Sequence, residues 1–257
     1  MWRRQAKALV EAITGREIKR IEPNAIAGIE RGRHHEAWFC YDLQLKWLLD
    51  LHHVNLAIDV GANRGQFAER LRQLYAGEIV SFEPVSEAFA RLAESARRDP
   101  RWTAHQLALG TENTTASIHV SASTIFSSFL RTSDFSLKEF PRSAANGDEM
   151  VSVKRLDDVL DTLVRELGET RLFLKLDTQG FDLEVFRGLG RYRDRVMVMQ
   201  SEVSLLGIYD DMPHWTESIN AYERAGFAVA GMFPVTRDTM GRVIEYDCLL
   251  VRSDDRG

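Results

Sequence analysis

The sequence predicts an α/β fold with a doubly wound, mostly parallel sheet and a helical extension at the N-terminus. Apolar runs of about five residues alternate with amphipathic segments along most of the chain, a pattern typical of βαβ units. One apolar run, Leu56–Val60, leads directly into a turn that contains Gly61 and Gly65. The length of 257 residues suits one α/β domain. We therefore expect residues 1–54 to form the extension and residues 55–257 to form the domain.

The individual elements follow from hydrophobic periodicity and from helix start and stop signals. Ser86 is the expected N-cap of the second helix after the glycine turn, and Pro100 closes that segment. Helices are expected over residues 66–75, 86–98, 155–167, 181–189 and 215–225. Strands are expected over residues 56–60, 78–83, 103–109, 116–120, 149–154, 171–176, 195–200 and 243–252, and a further strand begins at Phe227.

Between residues 111 and 148 the periodicity weakens into serines, threonines and scattered aromatic residues. A stretch of this length without strong periodicity is often a lid or a substrate loop. We expect its segment 123–129 to lie near an active site, with Ser127 and Ser128 as candidate substrate contacts.

Composition and charge exclude several classes of protein. Apolar residues make up 44% and charged residues 28% of the chain, as in soluble globular proteins. No apolar run approaches the ~18 residues of a membrane span, so we expect a cytoplasmic protein without a transmembrane segment. The formal net charge of −5 argues against a general nucleic-acid surface. Cys40 and Cys248 lack metal-ligand spacing and are expected to be packing residues.

The first twenty residues are basic, unlike the rest of the chain. Trp2, Leu9 and Ile13 can give this stretch an apolar face suited to a membrane surface or a partner subunit, so a homo-oligomer is possible. An ordinary solvated helix accounts for the same pattern.

The glycine turn indicates a nucleotide-type cofactor. Glycine at a strand end lets the backbone approach a ligand, and the first helical turn offers free N–H groups. Glu83 ends the next apolar run roughly 20 residues further on, where such folds hold ribose hydroxyls. The dinucleotide pattern G-x-G-x-x-G has a glycine where this chain has Asn63, so a ligand without a pyrophosphate fits better. S-adenosylmethionine meets that description, with Asp59 near its cationic part.

Further carboxylates are predicted at the carboxyl ends of later strands, which is where ligands bind in open α/β sheets. Asp177 follows one strand and Glu202 follows the next. If these strands are neighbours, their backbones lie about 4.8 Å apart, and both carboxylates can reach one substrate atom or ion. Either can serve as the base that takes a proton from a methyl acceptor, and His214 is a second candidate base.

Together these residues resemble the FkbM family of S-adenosylmethionine-dependent methyltransferases over residues 56–252. The matching motifs are Ile58-Asp59-Val60-Gly61-Ala62-Asn63-Arg64-Gly65-Gln66, Phe82-Glu83-Pro84, Ala108-Leu109-Gly110, Leu156-Asp157-Asp158, Lys175-Leu176-Asp177-Thr178-Gln179-Gly180-Phe181 and Gln200-Ser201-Glu202-Val203.

The resemblance implies the Rossmann-like class I methyltransferase fold, with a seven-stranded sheet whose last strand is antiparallel. It also implies cofactor contacts at Pro84 and Ala108 and transfer to a hydroxyl of a sugar or secondary metabolite, a small-molecule acceptor. Many relatives have D-x-E-G where this chain has Gln179, so a second acid is missing and the case for a divalent metal is weak. Gln179 can instead bond a substrate or Asp177.

Two other functions stay open from the residues. An NAD(P)-dependent oxidoreductase shares the strand, the glycine turn and the ribose carboxylate, although no tyrosine is followed four positions later by lysine. A non-catalytic S-adenosylmethionine-binding protein would keep the pocket without turnover. Asp177 and Glu202 favour a catalyst over a pure binding protein.

Overall fold

The computed structural model describes residues 29–164 and 169–253, with side chains from Phe39 onward. The chain divides into two compact units, residues 1–40 and 41–257. The predicted boundary at residue 54 stays a prediction, and the basic stretch at the start of the chain lies outside the described residues. In the first unit the described residues are helical, and the second unit contains the sheets.

The described elements alternate between strands and helices through most of the second unit. The α-helices are α1 (Ile29–Leu51), α2 (Gln66–Arg72), α3 (Ser86–Ala96), α4 (Asp134–Glu139), α5 (Leu156–Leu163), α6 (Asp182–Arg187) and α7 (Trp215–Arg224). The strands are β1 (Leu56–Val60), β2 (Glu78–Phe82), β3 (Trp102–His105), β4 (Ala108–Gly110), β5 (Thr114–Ser121), β6 (Ala145–Arg155), β7 (Leu172–Leu176), β8 (Val196–Ser204), β9 (Phe227–Arg237) and β10 (Val243–Arg252). Short 3₁₀ turns lie at Thr124–Phe126, Pro141–Ser143 and Gly190–Arg195.

A seven-stranded main sheet forms the centre of the second unit, in the order β3-β2-β1-β7-β8-β10-β9. β1 pairs in parallel with β2 and with β7, while β10 runs antiparallel to both β8 and β9. All five residues of β7 are buried, as a central strand covered on both faces requires. The predicted doubly wound sheet with an antiparallel last strand is thus confirmed.

A second, three-stranded sheet has the order β4-β6-β5, and we call it the small sheet. Its buried side chains Ile118, Val151 and Val153 pack against Val85 and Ala88 at the start of α3. Residues 111–148, predicted as a lid or substrate loop with one strand at 116–120, are therefore largely a β-hairpin with its connection, and the predicted strand lies within β5. The predicted strand 103–109 was also wrong, because the chain leaves the main sheet after β3 and enters the small sheet at β4.

Four smaller predictions also differ from the structure. Val85, not Ser86, is the N-cap of α3, because the Ser86 hydroxyl is engaged with Glu149. β8 continues to Ser204, so Glu202 lies inside the strand. The helix predicted over 155–167 is α5, which ends at Leu163, and residues 165–168 lie outside the description. Cys248 is buried as predicted, whereas Cys40 is exposed.

None of the helices in the described part of the chain is both long and apolar enough to cross a membrane.

Candidate active site

A cavity of about 230 Å³ opens at the carboxyl ends of the central strands. Its walls come from the turn after β1, the end of β2, the turn after β7, and β8, with the small sheet and β10 at the sides. Four carboxylates line it, Glu83, Asp177, Glu202 and Glu245, and the remaining wall is largely apolar. This is the position at which open α/β sheets bind ligands.

The turn after β1 brings two strand ends unusually close together. Gly61 has φ 73°, and its N–H donates to the carbonyl of Phe82 at 3.0 Å. A Cβ at Gly61 would lie 1.8 Å from the carbonyl oxygen of Asp177. Glycine is therefore required here both by the left-handed backbone and by contact with the neighbouring strand end. Asn63 continues the bend with φ 47°, a conformation that asparagine tolerates better than most residues.

Glu83 is held rigidly at one end of the cavity. Its side chain is buried, and its Oε2 accepts from the backbone N–H of Asn63 at 2.8 Å while Oε1 accepts from that of Val85 at 2.9 Å. Burial raises the pKa of Glu83 to about 7, although these two hydrogen bonds and the charge of Lys175 act in the opposite direction. Each carboxylate oxygen retains a lone pair for a further donor.

At the other end, Gln179 connects the two predicted catalytic carboxylates. Its Nε2 lies 2.9 Å from Asp177 Oδ1 and 3.1 Å from Glu202 Oε2. The hydroxyl of Tyr209 donates to Gln179 Oε1 at 2.7 Å. β7 and β8 are parallel neighbours with Leu176 opposite Ser201, so the expectation that these two strands adjoin is confirmed.

At this end of the cavity, which we call the acidic end, burial favours the protonated forms of Glu202 and Glu245. Burial raises the pKa of Glu202 well above its usual range, and the charges of Glu245 and Asp177 add to that effect. Burial also raises the pKa of Glu245, and the negative charge of Asp177 raises it further. A group with such a shifted pKa at a cavity wall is a candidate for proton transfer.

Lys175 lies behind this wall and joins the two halves of the site. Its Nζ is 3.1 Å from Asp59 Oδ1 and 3.3 Å from Asp177 Oδ2, and it donates to the carbonyl of Gly61 at 3.1 Å. Burial by itself lowers the pKa of Lys175, but the carboxylates of Asp177 and Asp59 outweigh it and keep the pKa above its ordinary value. The lysine is therefore a permanent cation under the glycine turn.

A family model described as the methyltransferase FkbM domain matches residues 59–229. The chain belongs to the FkbM methyltransferase family. No curated protein sequence matches the chain.

Several solved structures are similar to this FkbM methyltransferase. Magnesium protoporphyrin IX methyltransferase (ChlM) from Synechocystis PCC 6803, solved with bound SAM, is 9% identical over 92% of this chain and 87% of that chain, with a TM-score of 0.43. A precorrin-6y C5,15-methyltransferase from Geobacter metallireducens GS-15 is 12% identical over 77% and 80% of the two chains, with a TM-score of 0.42. A putative RNA methyltransferase from Pyrococcus horikoshii is 11% identical over 84% of each chain, with a TM-score of 0.40.

The FkbM methyltransferase fold brings most of the predicted site residues to one cavity. The predicted residues at its wall are Gly61, Asn63, Glu83, Pro84, Ala108, Ser127, Asp177, Gln179 and Glu202. Their roles stay predictions, because position at the wall does not by itself establish what a side chain does.

Four predicted residues lie away from the cavity wall. Asp59 is buried against Lys175 and Ser81, so it supports the site from behind rather than meeting a ligand. Gly65 packs against Trp102, whose ring would lie 2.9 Å from an added Cβ.

The other two are Ser128 and His214. Ser128 is buried and donates to the carbonyl of Gln179 at 2.7 Å. His214 is exposed at the start of α7, where its ring contacts Thr216 and its backbone N–H donates to Glu217. Direct ligand contact by these side chains is therefore not supported.

Sequence reasoning missed Lys175, Tyr209 and Glu245. A lysine inside the apolar run Leu172–Leu176 was a detectable signal, because a buried charge requires partners. Tyr209 and Glu245 carried no local signal, since only tertiary packing brings Tyr209 to Gln179 and Glu245 to the cavity wall.

Among the described residues, no group of three or more histidine, cysteine, aspartate or glutamate side chains is arranged to hold a metal ion.

Proposed function

We propose that this FkbM methyltransferase uses S-adenosylmethionine to methylate a hydroxyl group of a sugar or secondary metabolite. The supporting observation is one continuous cavity with a fixed acid, Glu83, at one end and the Asp177–Gln179–Glu202 cluster at the other. The two ends provide separate places for a cofactor diol and for the reacting hydroxyl.

The residues around Glu83 fit an adenosyl group. The carboxylate is fixed by two backbone donors and can accept from ribose hydroxyls with its remaining lone pairs. Phe82, Leu107 and Leu109 supply apolar wall beside it for a purine ring. The side chain of Asn63 takes the place of the glycine that a pyrophosphate requires, which supports an adenosyl ligand over a dinucleotide.

The acidic end fits activation of a hydroxyl. When bound, S-adenosylmethionine supplies an electrophilic methyl group on its sulfonium. The ionised form of Glu202, a stronger base because its pKa is raised, would take the proton of the acceptor hydroxyl, whose oxygen would receive the methyl group while the sulfonium becomes a neutral thioether. Asp177 would accept a hydrogen bond from a second hydroxyl of the acceptor and so orient the reacting one. Charge is conserved, because the sulfonium charge and the carboxylate charge disappear together.

The small sheet and its connection supply the acceptor side of the cavity. Ile118, Phe126, Ser127 and Phe129 line it from this side, and Thr236 lines it from β9. Aromatic faces and scattered hydroxyls suit a sugar ring, which has both apolar faces and polar edges.

The first test separates binding from chemistry. Glu202→Gln and Asp177→Asn should reduce methyl transfer by about 10²-fold to 10⁴-fold, while calorimetry shows S-adenosylmethionine affinity nearly unchanged. Turnover is measured with radiolabelled cofactor over a panel of glycosides and hydroxylated metabolites. Glu94→Gln, an exposed carboxyl on α3, is the matched control.

Three results would count against the proposal. Calorimetry that shows NADH but not S-adenosylmethionine binding would support an oxidoreductase. Cofactor binding without methyl transfer to any panel member would support a binding protein. Full activity in Glu202→Gln would remove Glu202 from the reaction.

A further inference from the structure

We propose that the side-chain amide of Gln179 takes the place of a bound cation between Asp177 and Glu202, so that the two carboxylates work as a pair without a metal ion. This inference rests on the proposed function, because it concerns how the acidic end of the same cavity is organised. It assigns Gln179 as a positioning residue rather than a substrate contact.

The first argument is the geometry of the amide. One NH₂ group carries two hydrogens, and here its nitrogen is 2.9 Å from one carboxylate and 3.1 Å from the other. Both hydrogens are therefore used on the two acids. The position between two carboxylates is where a divalent cation would otherwise gain its oxygen ligands.

The second argument is that the orientation of the amide is fixed from behind. Tyr209 is buried, and its hydroxyl donates to Gln179 Oε1 at 2.7 Å, which directs the nitrogen toward the acids. The phenol has one proton, so its 3.1 Å contact with the carbonyl of Phe126 is secondary. A flipped amide would place its oxygen against both carboxylates and lose the Tyr209 donor.

The third argument is electrostatic balance. Glu202 also faces Glu245 and lies opposite Asp247 of β10, and Asp177 faces Lys175. Lys175 lies beneath Asp177 and Asp59 and reaches neither Glu202 nor Glu245 by a hydrogen bond or ion pair in the described residues. The two N–H donors of Gln179 therefore reduce the repulsion between these carboxylates that Lys175 does not neutralise.

The expected consequence is a shift in the titration of Glu202. Hydrogen bonds to an ionised carboxylate favour the charged form, so removing them makes the carboxyl harder to ionise. In Gln179→Met, which keeps the length and removes the donors, the Glu202 titration should move upward by about one pH unit. Tyr209→Phe should move it in the same direction by less.

The experiment uses the full chain and does not require a known acceptor. Carboxyl-labelled protein is titrated by NMR for wild type, Gln179→Met and Tyr209→Phe, with S-adenosylmethionine affinity measured on the same samples. Mn²⁺ and Mg²⁺ are then titrated calorimetrically into wild type and Gln179→Glu. Wild type should give no binding heat, while the third carboxylate in Gln179→Glu should create a cation site. Gln73→Glu, an exposed change of the same charge, should bind no cation.

An unchanged Glu202 titration in Gln179→Met would overturn the proposal. Stoichiometric Mn²⁺ or Mg²⁺ binding by wild type that is lost in Glu202→Gln would also overturn it, because the space between the acids would then hold a metal. Either result leaves cofactor binding unaffected, so failure of this inference is distinguishable from failure of the proposed function.

Discussion

At the level of single residues, the side chain of Glu83 has both a structural role and a place in the cavity wall. It accepts from the backbone N–H groups of Asn63 and Val85, and so ties the glycine turn to the start of α3, while it also forms part of the cavity wall. Its position is consequently fixed before any ligand arrives, which reduces the entropy lost on binding.

Replacing Glu83 with glutamine should weaken S-adenosylmethionine binding by about tenfold to a hundredfold, because a hydrogen bond to a charged group contributes roughly 1.5 to 3 kcal/mol. The measurement is isothermal calorimetry. Thermal unfolding without ligand measures how much stability is lost with the hydrogen bonds from the backbone N–H groups of Asn63 and Val85. Glu87→Gln, an exposed change on α3, is the control. Unchanged affinity would show that Glu83 holds the fold and not the ribose.

Loss of the Lys175 side chain should lower the free energy of unfolding strongly. Lys175→Met leaves Asp59 buried without its cation, and breaking one side of a buried ion pair costs about 3 to 5 kcal/mol. Chemical denaturation measures the change, with exposed Lys154→Met as the control. Adding Asp59→Asn to Lys175→Met should recover part of the loss, and a single-variant cost under about 1 kcal/mol would contradict this account.

At the level of elements, the contact between the turns after β1 and β7 determines the shape of the cavity. Gly61→Ala places a Cβ against the carbonyl of Asp177, whereas Gly241→Ala meets no atom within 4 Å at a similar φ of +82°. We expect Gly241→Ala to cost about 1 to 2 kcal/mol from backbone strain alone. Gly61→Ala should cost clearly more and should impair cofactor binding.

Denaturation curves and calorimetry of the two alanine variants check this prediction. Because the backbone strain is shared, the difference between them isolates the steric contact with Asp177. Equal destabilisation would mean that the two strand ends can separate freely.

The sequence predicted buried strands better than half-exposed ones. β1, β7 and β10 were recovered to within one residue at each end, since short, mostly apolar runs bounded by turn residues favour buried strands. The small sheet was missed as a sheet because β5 and the first half of β6 are largely exposed and carry little apolar alternation. The switch between sheets at residues 106–107 has no local signal.

At the level of the whole molecule, buried acids should make stability depend on pH in an unusual direction. Burial raises the pKa of Asp247 from 3.8 to about 6 and that of Glu83 from 4.5 to about 7. A raised pKa in the folded state means that the stabilisation is present below the unfolded value and is lost as pH rises through the folded value.

The free energy of unfolding should therefore fall as pH rises from about 4 to about 7, with the contribution of Asp247 lost by about pH 6 and that of Glu83 by about pH 7. Chemical denaturation at several pH values tests this, and Asp247→Asn should flatten the slope. Asp211→Asn, an exposed change, should leave it intact. A slope of opposite sign over this range would contradict the assignment of buried, protonated acids.

The candidate site could be predicted where residues follow directly from strand ends. Glu83 and Asp177 reached the cavity because parallel strands end at one edge, and Glu202 reached it from inside β8, two residues before that strand ends. The partners that set their chemistry, Tyr209 and Glu245, come from distant segments. Such partners depend on how the chain folds back and not on any local pattern.

The small sheet packs on the start of α3, and its hairpin between β4 and α5 covers the cavity with Ile118 and the turn Thr124–Phe126. Changes in this hairpin can reshape the proposed acceptor side while β1, β2 and β7 keep their packing. Substitutions in this hairpin can therefore change substrate specificity with little effect on the stability of the main sheet, which carries the predicted catalytic residues.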